Sequence, residues 1–306
     1  VGSQLAYYIR RIITEVWIII TPTYTIDVGK KKIRVPGSLR EAARLVRDWG
    51  NGWKTSVIRH HYNPDNGVFI DIGTNIGDTL LDFLAVSGDK GQYIGFEPNY
   101  LSSSTIAAII ARNSAVNASI VPTCLSDRAG IVTLFTHTGH PADASASIVT
   151  DLRPGRPYDK QLVPCLRFSD VARILAPKPI SFVKIDVEGA ELSVMRGMKD
   201  LIISDKPIIL CEVLHRDSAA DESKYVEHIE GITRFIREID YKIYRVMRQS
   251  DGVDVTYVQC ETFPNRIYAE DSVDLCDYLF TPIGFKFSEN EGQEDGPGRN
   301  LPKNNL

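Results

Sequence analysis

Five short apolar runs punctuate the middle of the chain, and each stops at a glycine, an acid or a polar turn. Val68-Phe69-Ile70-Asp71-Ile72 meets Gly73, and Gln92–Phe96 meets Glu97. Residues 119–124, Ile180–Ile185 and residues 207–213 repeat the pattern. Runs of this length, bounded by turn residues, predict buried strands. Between them apolar residues recur at helical spacing, over about 77–86, 101–113 and 190–198, and after the last strand over about 224–239. This alternation of strand and helix predicts a parallel, doubly wound α/β sheet.

The flanks are patterned differently. Residues 24–28 and 32–35 read as two short strands around Gly29-Lys30. Ser38, with Glu41 three residues on, forms a capping box for a helix over 39–49, which Asn51-Gly52 ends. Residues 12–20 are apolar but carry Glu15 and run into Pro22. That is well short of the ~20 apolar residues a membrane-spanning helix needs, and no small-residue cleavage site follows to suggest a signal peptide. Residues 131–135 alternate as a strand does. A loop over 136–161, rich in Gly, Pro, Ser, Asp and His, is too long for a plain connector and predicts a functional loop or lid. Residues 241–247 and 253–258 predict an antiparallel pair around Ser250-Asp251-Gly252. The chain thus divides into an N-terminal cap (1–66), a main α/β domain (67–287) and a polar, disordered tail (288–306).

Composition narrows the classes of function. A net charge of −4 lacks the basic footprint of a nucleic-acid binder. Lys30-Lys31-Lys32 and the arginines at 153 and 156 read as solvated turns. The five cysteines, an odd number without Cys-x-x-Cys spacing, argue against a disulfide framework or a zinc cluster. They fit a reducing, cytoplasmic setting. No integral membrane segment is expected.

The candidate chemistry sits where the strands end. Asp71-Ile72-Gly73-Thr74-Asn75-Ile76-Gly77-Asp78-Thr79 links the first strand to its helix. Glycines there let the backbone turn sharply and approach a ligand, Asn75 tolerates left-handed angles, and the helix N-terminus favours an anionic group. Asp71 is placed to accept hydrogen bonds from a ligand ammonium. Glu97 ends the next strand, where an acid accepts both hydroxyls of a ribose, with Phe96, Pro98 and Asn99 beside it. Ser126 and Asp127 follow the third strand, where one of them would accept from an adenine amino group. The dinucleotide spacing G-x-G-x-x-G is missing, which argues against a nicotinamide dinucleotide. Lys184-Ile185-Asp186-Val187-Glu188-Gly189-Ala190-Glu191 closes the fourth strand, and Glu212 and His215 close the fifth. Asp186, Glu212 and His215 are the candidates to take a proton from an acceptor. Glu191 opens a helix, where an acid is favoured on structural grounds alone. Asp186, Glu188, Glu212 and His215 offer Mg²⁺-type ligands, but nothing in their spacing demands an ion.

With these residues in place, the chain resembles the FkbM family of S-adenosylmethionine (SAM) dependent methyltransferases. The resemblance rests on Phe69 to Thr79 (FIDIGTNIGDT), Phe96 to Asn99 (FEPN), Leu125 to Gly130 (LSDRAG), Val183 to Glu191 (VKIDVEGAE) and Ile209 to Val213 (ILCEV). It covers about residues 67–215, and Thr74 stands where alanine is more usual. It implies a Rossmann-like class I methyltransferase fold, with a mostly parallel seven-stranded sheet and helices on both faces. It also implies SAM contacts for Asp71, Gly73, Asn75, Gly77, Glu97 and Asp127, beside which Thr79 and Ser126 are cofactor candidates by position, and O-methylation of a small-molecule, sugar or glycan-like acceptor. Two other readings remain at this stage: a SAM-binding interaction module without catalysis, and an NAD-dependent sugar oxidoreductase.

Overall fold

The structure is a computed structural model that describes residues 23–37, 40–50, 52–113, 116–150, 156–176, 178–216, 222–267, 276–287 and 293–294. The apolar stretch at 12–20, the cap at Ser38 and the tail beyond 294 lie outside the described residues.

Nine strands form the main sheet, in the order β14-β12-β11-β13-β10-β9-β3-β4-β5. Its parallel half is β3 (Val68–Ile72), β4 (Gln92–Phe96), β5 (Ala118–Val121), β9 (Ile180–Ile185) and β10 (Ile208–Glu212). The other half is β11 (Tyr241–Arg248), β12 (Val255–Cys260), β13 (Asp277–Pro282) and the two-residue β14 (Gln293–Glu294). Here β13 runs antiparallel between β10 and β11, and β12 runs antiparallel to β11. The sheet is therefore mixed and larger than the seven-stranded, mostly parallel one expected. The reason is local: the β11–β12 turn is too short for anything but an antiparallel pair, and β13 inserts beside β10.

Strand alternation sorts the core onto two faces. Val68, Ile70 and Ile72 of β3 pack with Val183, Ile185 and Ile209. That face is covered by α5 (Phe168–Leu175), α6 (Glu191–Gly197), α7 (Lys199–Asp205) and α8 (Glu222–Glu238). Phe69, Tyr93, Phe182 and Leu210 point the other way. They meet α1 (Arg40–Asp48), α2 (Trp53–His61), α3 (Asp78–Ser87) and α4 (Tyr100–Arg112), together with the hairpin β1 (Thr23–Val28) and β2 (Lys31–Pro36). The expectation of helices on both faces thus holds. Among the described residues no helix is long and apolar enough to cross a membrane.

A small second sheet, β6-β8-β7, stands at the carboxyl edge of the large one. It consists of β6 (Cys124–Leu125), β7 (Gly130–His137) and β8 (Tyr158–Leu166). The loop expected over 136–161 is therefore shorter, since β7 runs on to His137 and β8 begins at Tyr158. The described part of it ends at residue 150 and resumes at 156.

Candidate active site

Four neighbouring parallel strands, β4, β3, β9 and β10, deliver Glu97, Gly73, Asp186 and Glu212 to one edge of the sheet. All four residues line a single cavity of about 210 Å³. In open α/β sheets ligands bind outside the carboxyl ends of the strands.

The loop after β3 is built for close approach. Gly73 has φ +81° and its N–H donates to the Phe96 carbonyl at 2.9 Å. A Cβ on Gly73 would collide with the Asp186 carbonyl oxygen, so the β3 and β9 loops meet backbone to backbone here. Asn75 takes φ +46°, and Gly77, before α3, takes φ +101°.

Glu97 is buried and fixed by that loop. One carboxylate oxygen accepts from Asn75 N–H and the other from Asn99 N–H, both at 2.8 Å. An ionised carboxylate has about four acceptor positions, so each oxygen keeps room for one further donor, which suits a ribose diol. Burial pushes its pKa up to about 7 against the pull of those two N–H groups. Beyond Glu97 the cavity has an apolar lining made by Phe96, Pro98, Leu125, Leu134, Ala146 and Ile148. The last two belong to the described part of the 136–161 loop. Asn99 holds that loop by donating from Nδ2 to the Pro141 carbonyl at 2.7 Å, and Ser147 Oγ donates to the Glu188 carbonyl at 2.6 Å. Within it Asp143 accepts from the backbone N–H groups of His137 and Ser145, from Ser145 Oγ and from the His137 ring. The segment thus lines the apolar part of the cavity. A glycine-permitted backbone cradle, an acid with spare acceptor positions and an apolar lining together fit an adenosine-bearing ligand such as SAM.

At the other end stand the charged groups. Lys184 Nζ lies 3.0 Å from Asp186 Oδ2 and 3.6 Å from Asp71 Oδ1, and it donates to the Gly73 carbonyl at 3.0 Å. Burial opposes its charge, but Asp186, Asp71 and Asp78 outweigh this and hold it ionised. Asp186 and Glu212 are hydrogen-bonded to one another, and the Asp186 charge, and then burial, push the Glu212 carboxyl well above the carboxylate range. Burial acts to raise Asp186, but Lys184 and the Glu212 hydrogen bond hold it below its ordinary value. Glu188, at φ +53°, brings a third carboxylate within 4.8 Å of these two, a spacing that could hold a metal ion. Lys184 Nζ already stands 3.0 Å from Asp186 Oδ2, so a cation bound here would share that carboxylate with an ammonium.

Of the expected cofactor residues, Gly73, Asn75 and Glu97 line the cavity, while Asp71, Gly77, Thr79, Ser126 and Asp127 do not. Asp71 is fully buried beneath the site, where it accepts from Tyr93 Oη at 2.5 Å and faces Lys184. Burial raises its pKa. Thr79 is buried in α3. Ser126 packs its backbone against Gly197, and its hydroxyl donates to Asp127. The chain leaves the sheet after Val121, so Thr123, Cys124 and Leu125 face the cavity in place of Ser126 and Asp127. Among the acid–base candidates Asp186 and Glu212 meet. His215 is buried away from both, with its pKa lowered by burial and by Arg266 and Arg245. Glu191 is buried, accepting from Gly189 N–H at 2.7 Å and contacting His228 at 3.0 Å, an arrangement that organises the start of α6.

A second cleft, also of about 210 Å³, opens on the α2 side of the sheet and shares Lys184, Asp186 and Glu212 with the first. Ile185 and Leu210 line it as well, and Trp53, Lys54, Arg248 and Asp277 form the rest. None of these four was a candidate from the sequence, because they lie far apart along the chain and carry no motif.

Comparison with known proteins places this geometry. Residues 71–243 match the model of the methyltransferase FkbM domain. Among solved structures, the chain is similar to a methyltransferase FkbM from Methylobacillus flagellatus KT, at 19% identity and TM-score 0.44, over 71% of this chain and 44% of that one. It is also similar to M. jannaschii TYW2 in complex with AdoMet, at 12% identity and TM-score 0.37, over 86% and 87% of the two chains. A third is a SAM-dependent O-methyltransferase from Thermotoga maritima, at 10% identity and TM-score 0.36, over 87% and 80%. A search of curated proteins found no match. The chain thus spans less than half the length of the FkbM structure it resembles, while the family model takes in more than half of the chain itself. By that match the chain belongs to the FkbM methyltransferase family.

Proposed function

We propose that the protein is a SAM-dependent O-methyltransferase acting on a hydroxyl of a sugar, glycan or natural-product-like acceptor. One observation carries the reading: four adjacent strand ends converge on one cavity with a ribose-type acid at one end and the Asp186–Glu212 pair at the other. SAM, when bound, supplies an electrophilic sulfonium methyl: the acceptor oxygen forms its bond to carbon as the sulfur–carbon bond breaks, leaving a neutral thioether. Glu97 would hold the ribose, and the apolar part of the cavity would hold the adenine. Asp186 accepts a hydrogen bond from the acceptor hydroxyl and aims its lone pair. Because Lys184 and Glu212 lower its basicity, Asp186 acts chiefly by orientation, and the acceptor proton departs late, to solvent. Positioning of this kind supplies much of the rate of such a displacement.

Calorimetric titration with SAM, its demethylated product, and NAD tests the cofactor. SAM and the product should bind and NAD should not; binding of NAD alone would sink the assignment. Transfer of labelled methyl to hydroxyl-bearing rather than amine-bearing acceptors tests the chemistry. A protein that binds SAM and methylates nothing in a broad acceptor panel would be an interaction module instead.

A further inference from the structure

The far wall of the second cleft comes from outside the family-matched residues 71–243. Trp53 and Lys54 open α2, Arg248 ends β11 and Asp277 begins β13. Its near wall is Lys184, Asp186 and Glu212, the end of the first cavity where the methyl would lie.

The charges of this cleft are already matched. Arg248 donates to Asp277 Oδ2 at 2.6 Å, and its guanidinium lies 4.4 Å from the centre of the Trp53 ring. Lys54 is ion-paired with Asp78, and Lys184 with Asp186. An anionic group entering here would meet the carboxylates of Asp186 and Asp277 and would have to displace one of them from its cation. A hydroxyl both donates and accepts. Paired N–H donors and carboxylate acceptors at fixed places therefore suit neighbouring hydroxyls, each bridging one pair, and charge-assisted hydrogen bonds of this kind are strong. The indole, covered in part by Arg248, gives the cleft one planar, apolar side.

From this arrangement, and resting on the reading of the first cavity as the SAM site, we infer that the cleft is the acceptor subsite. It admits a neutral acceptor with adjacent hydroxyl groups, with Trp53, Lys54 and Arg248 setting specificity and one hydroxyl presented to Asp186.

The test begins with calorimetry of the demethylated product. If it does not bind, the cofactor reading fails, and that failure is seen before any acceptor is added. The product-loaded protein is then probed by saturation-transfer NMR with methyl glycosides of neutral hexoses, the corresponding uronates and the 6-phosphates. Neutral glycosides should give signal in preference to the charged ones. Trp53→Ala and Arg248→Met should each weaken that binding about ten-fold, as loss of a central interface anchor does. Arg248→Lys, which keeps the charge beside Asp277, serves if Arg248→Met does not fold, and should fall between. Preference for the uronates or phosphates, silence from every glycoside, or unchanged binding in folded Trp53→Ala and Arg248 variants would each overturn the inference.

Discussion

At the scale of single residues, the two backbone N–H groups that Glu97 accepts do not offset the cost of burying its charge, and the carboxyl titrates near 7. Ribose hydroxyls donate best to the ionised form, so binding at lower pH must first remove a proton. Affinity for the demethylated product should therefore rise as pH rises through 7. It should be about ten-fold weaker at pH 6 than at pH 8, because only about a tenth of the protein is competent at the lower value. Calorimetry at the two pH values, with Glu97→Gln as the flat control, checks this. Asp186→Asn keeps the shape and removes the acceptor charge. It should retain product affinity while turnover falls about 10²-fold through lost orientation of the acceptor, and wild-type turnover in the folded variant would remove Asp186 from the mechanism. Glu97, Asp186 and Glu212 were legible in the sequence because each stands at the end of an apolar run. Asp71 was misleading for a physical reason. Its place in β3 aims it at Tyr93 and Lys184, under the site, and only the pairing of three strands reveals that. Ser126 and Asp127 stand off the cavity because the chain quits the sheet at Val121, three residues before the strand end expected at residue 124.

At the scale of elements, the docking of α1 and α2 onto α3 turns on Asp82. Thr55 Oγ1 donates to it at 2.5 Å and Trp49 Nε1 at 3.2 Å. Burial nonetheless raises its pKa from 3.8 to about 6. A carboxyl whose folded value lies above its unfolded one contributes stability that is fully present below the unfolded value and lost as pH rises through the folded one. A rise of about two units corresponds to on the order of 3 kcal/mol. Wild-type protein should therefore lose stability between about pH 4 and pH 6 through this group. Asp82→Asn keeps an oxygen for both donors and should lack that slope, as denaturant titrations across pH would show. The elements themselves were unevenly legible. Strands β3, β4 and β9 announce themselves as short, mostly apolar runs that end at a glycine or an acid. Helix α2 does not, since it buries Thr55 and Ser56 beside Val57 and Ile58, and its polar residues hide the helical period. Strand β13 has five of its six residues buried but is bracketed by Asp277 and Pro282, which read as loop.

At the scale of the whole molecule, the N-terminal segment is part of the core. Val28, Ile33, Val35, Leu45, Val57, Ile58 and Tyr62 are buried in one cluster with Phe69, Leu80 and Phe83. Tyr62 packs edge-on to Phe69 at 5.3 Å between ring centres. Removing residues 1–66 should leave a protein that does not fold cooperatively, because deleting even one such buried side chain costs roughly 2–5 kcal/mol against a total stability of about 5–15. Circular dichroism melts of the truncated chain would check this, and a cooperative transition near the full-length midpoint would show the segment to be a separable cap. The contact between Gly73 and the Asp186 carbonyl carries a practical corollary for anyone redesigning the protein. It locks the donor side and the reacting side into one inflexible junction, where almost any replacement of Gly73 is a loss. Trp53, Lys54 and Arg248 stand on other elements, so a library randomised at those three codons explores new acceptors while the junction that would make each variant active is inherited intact.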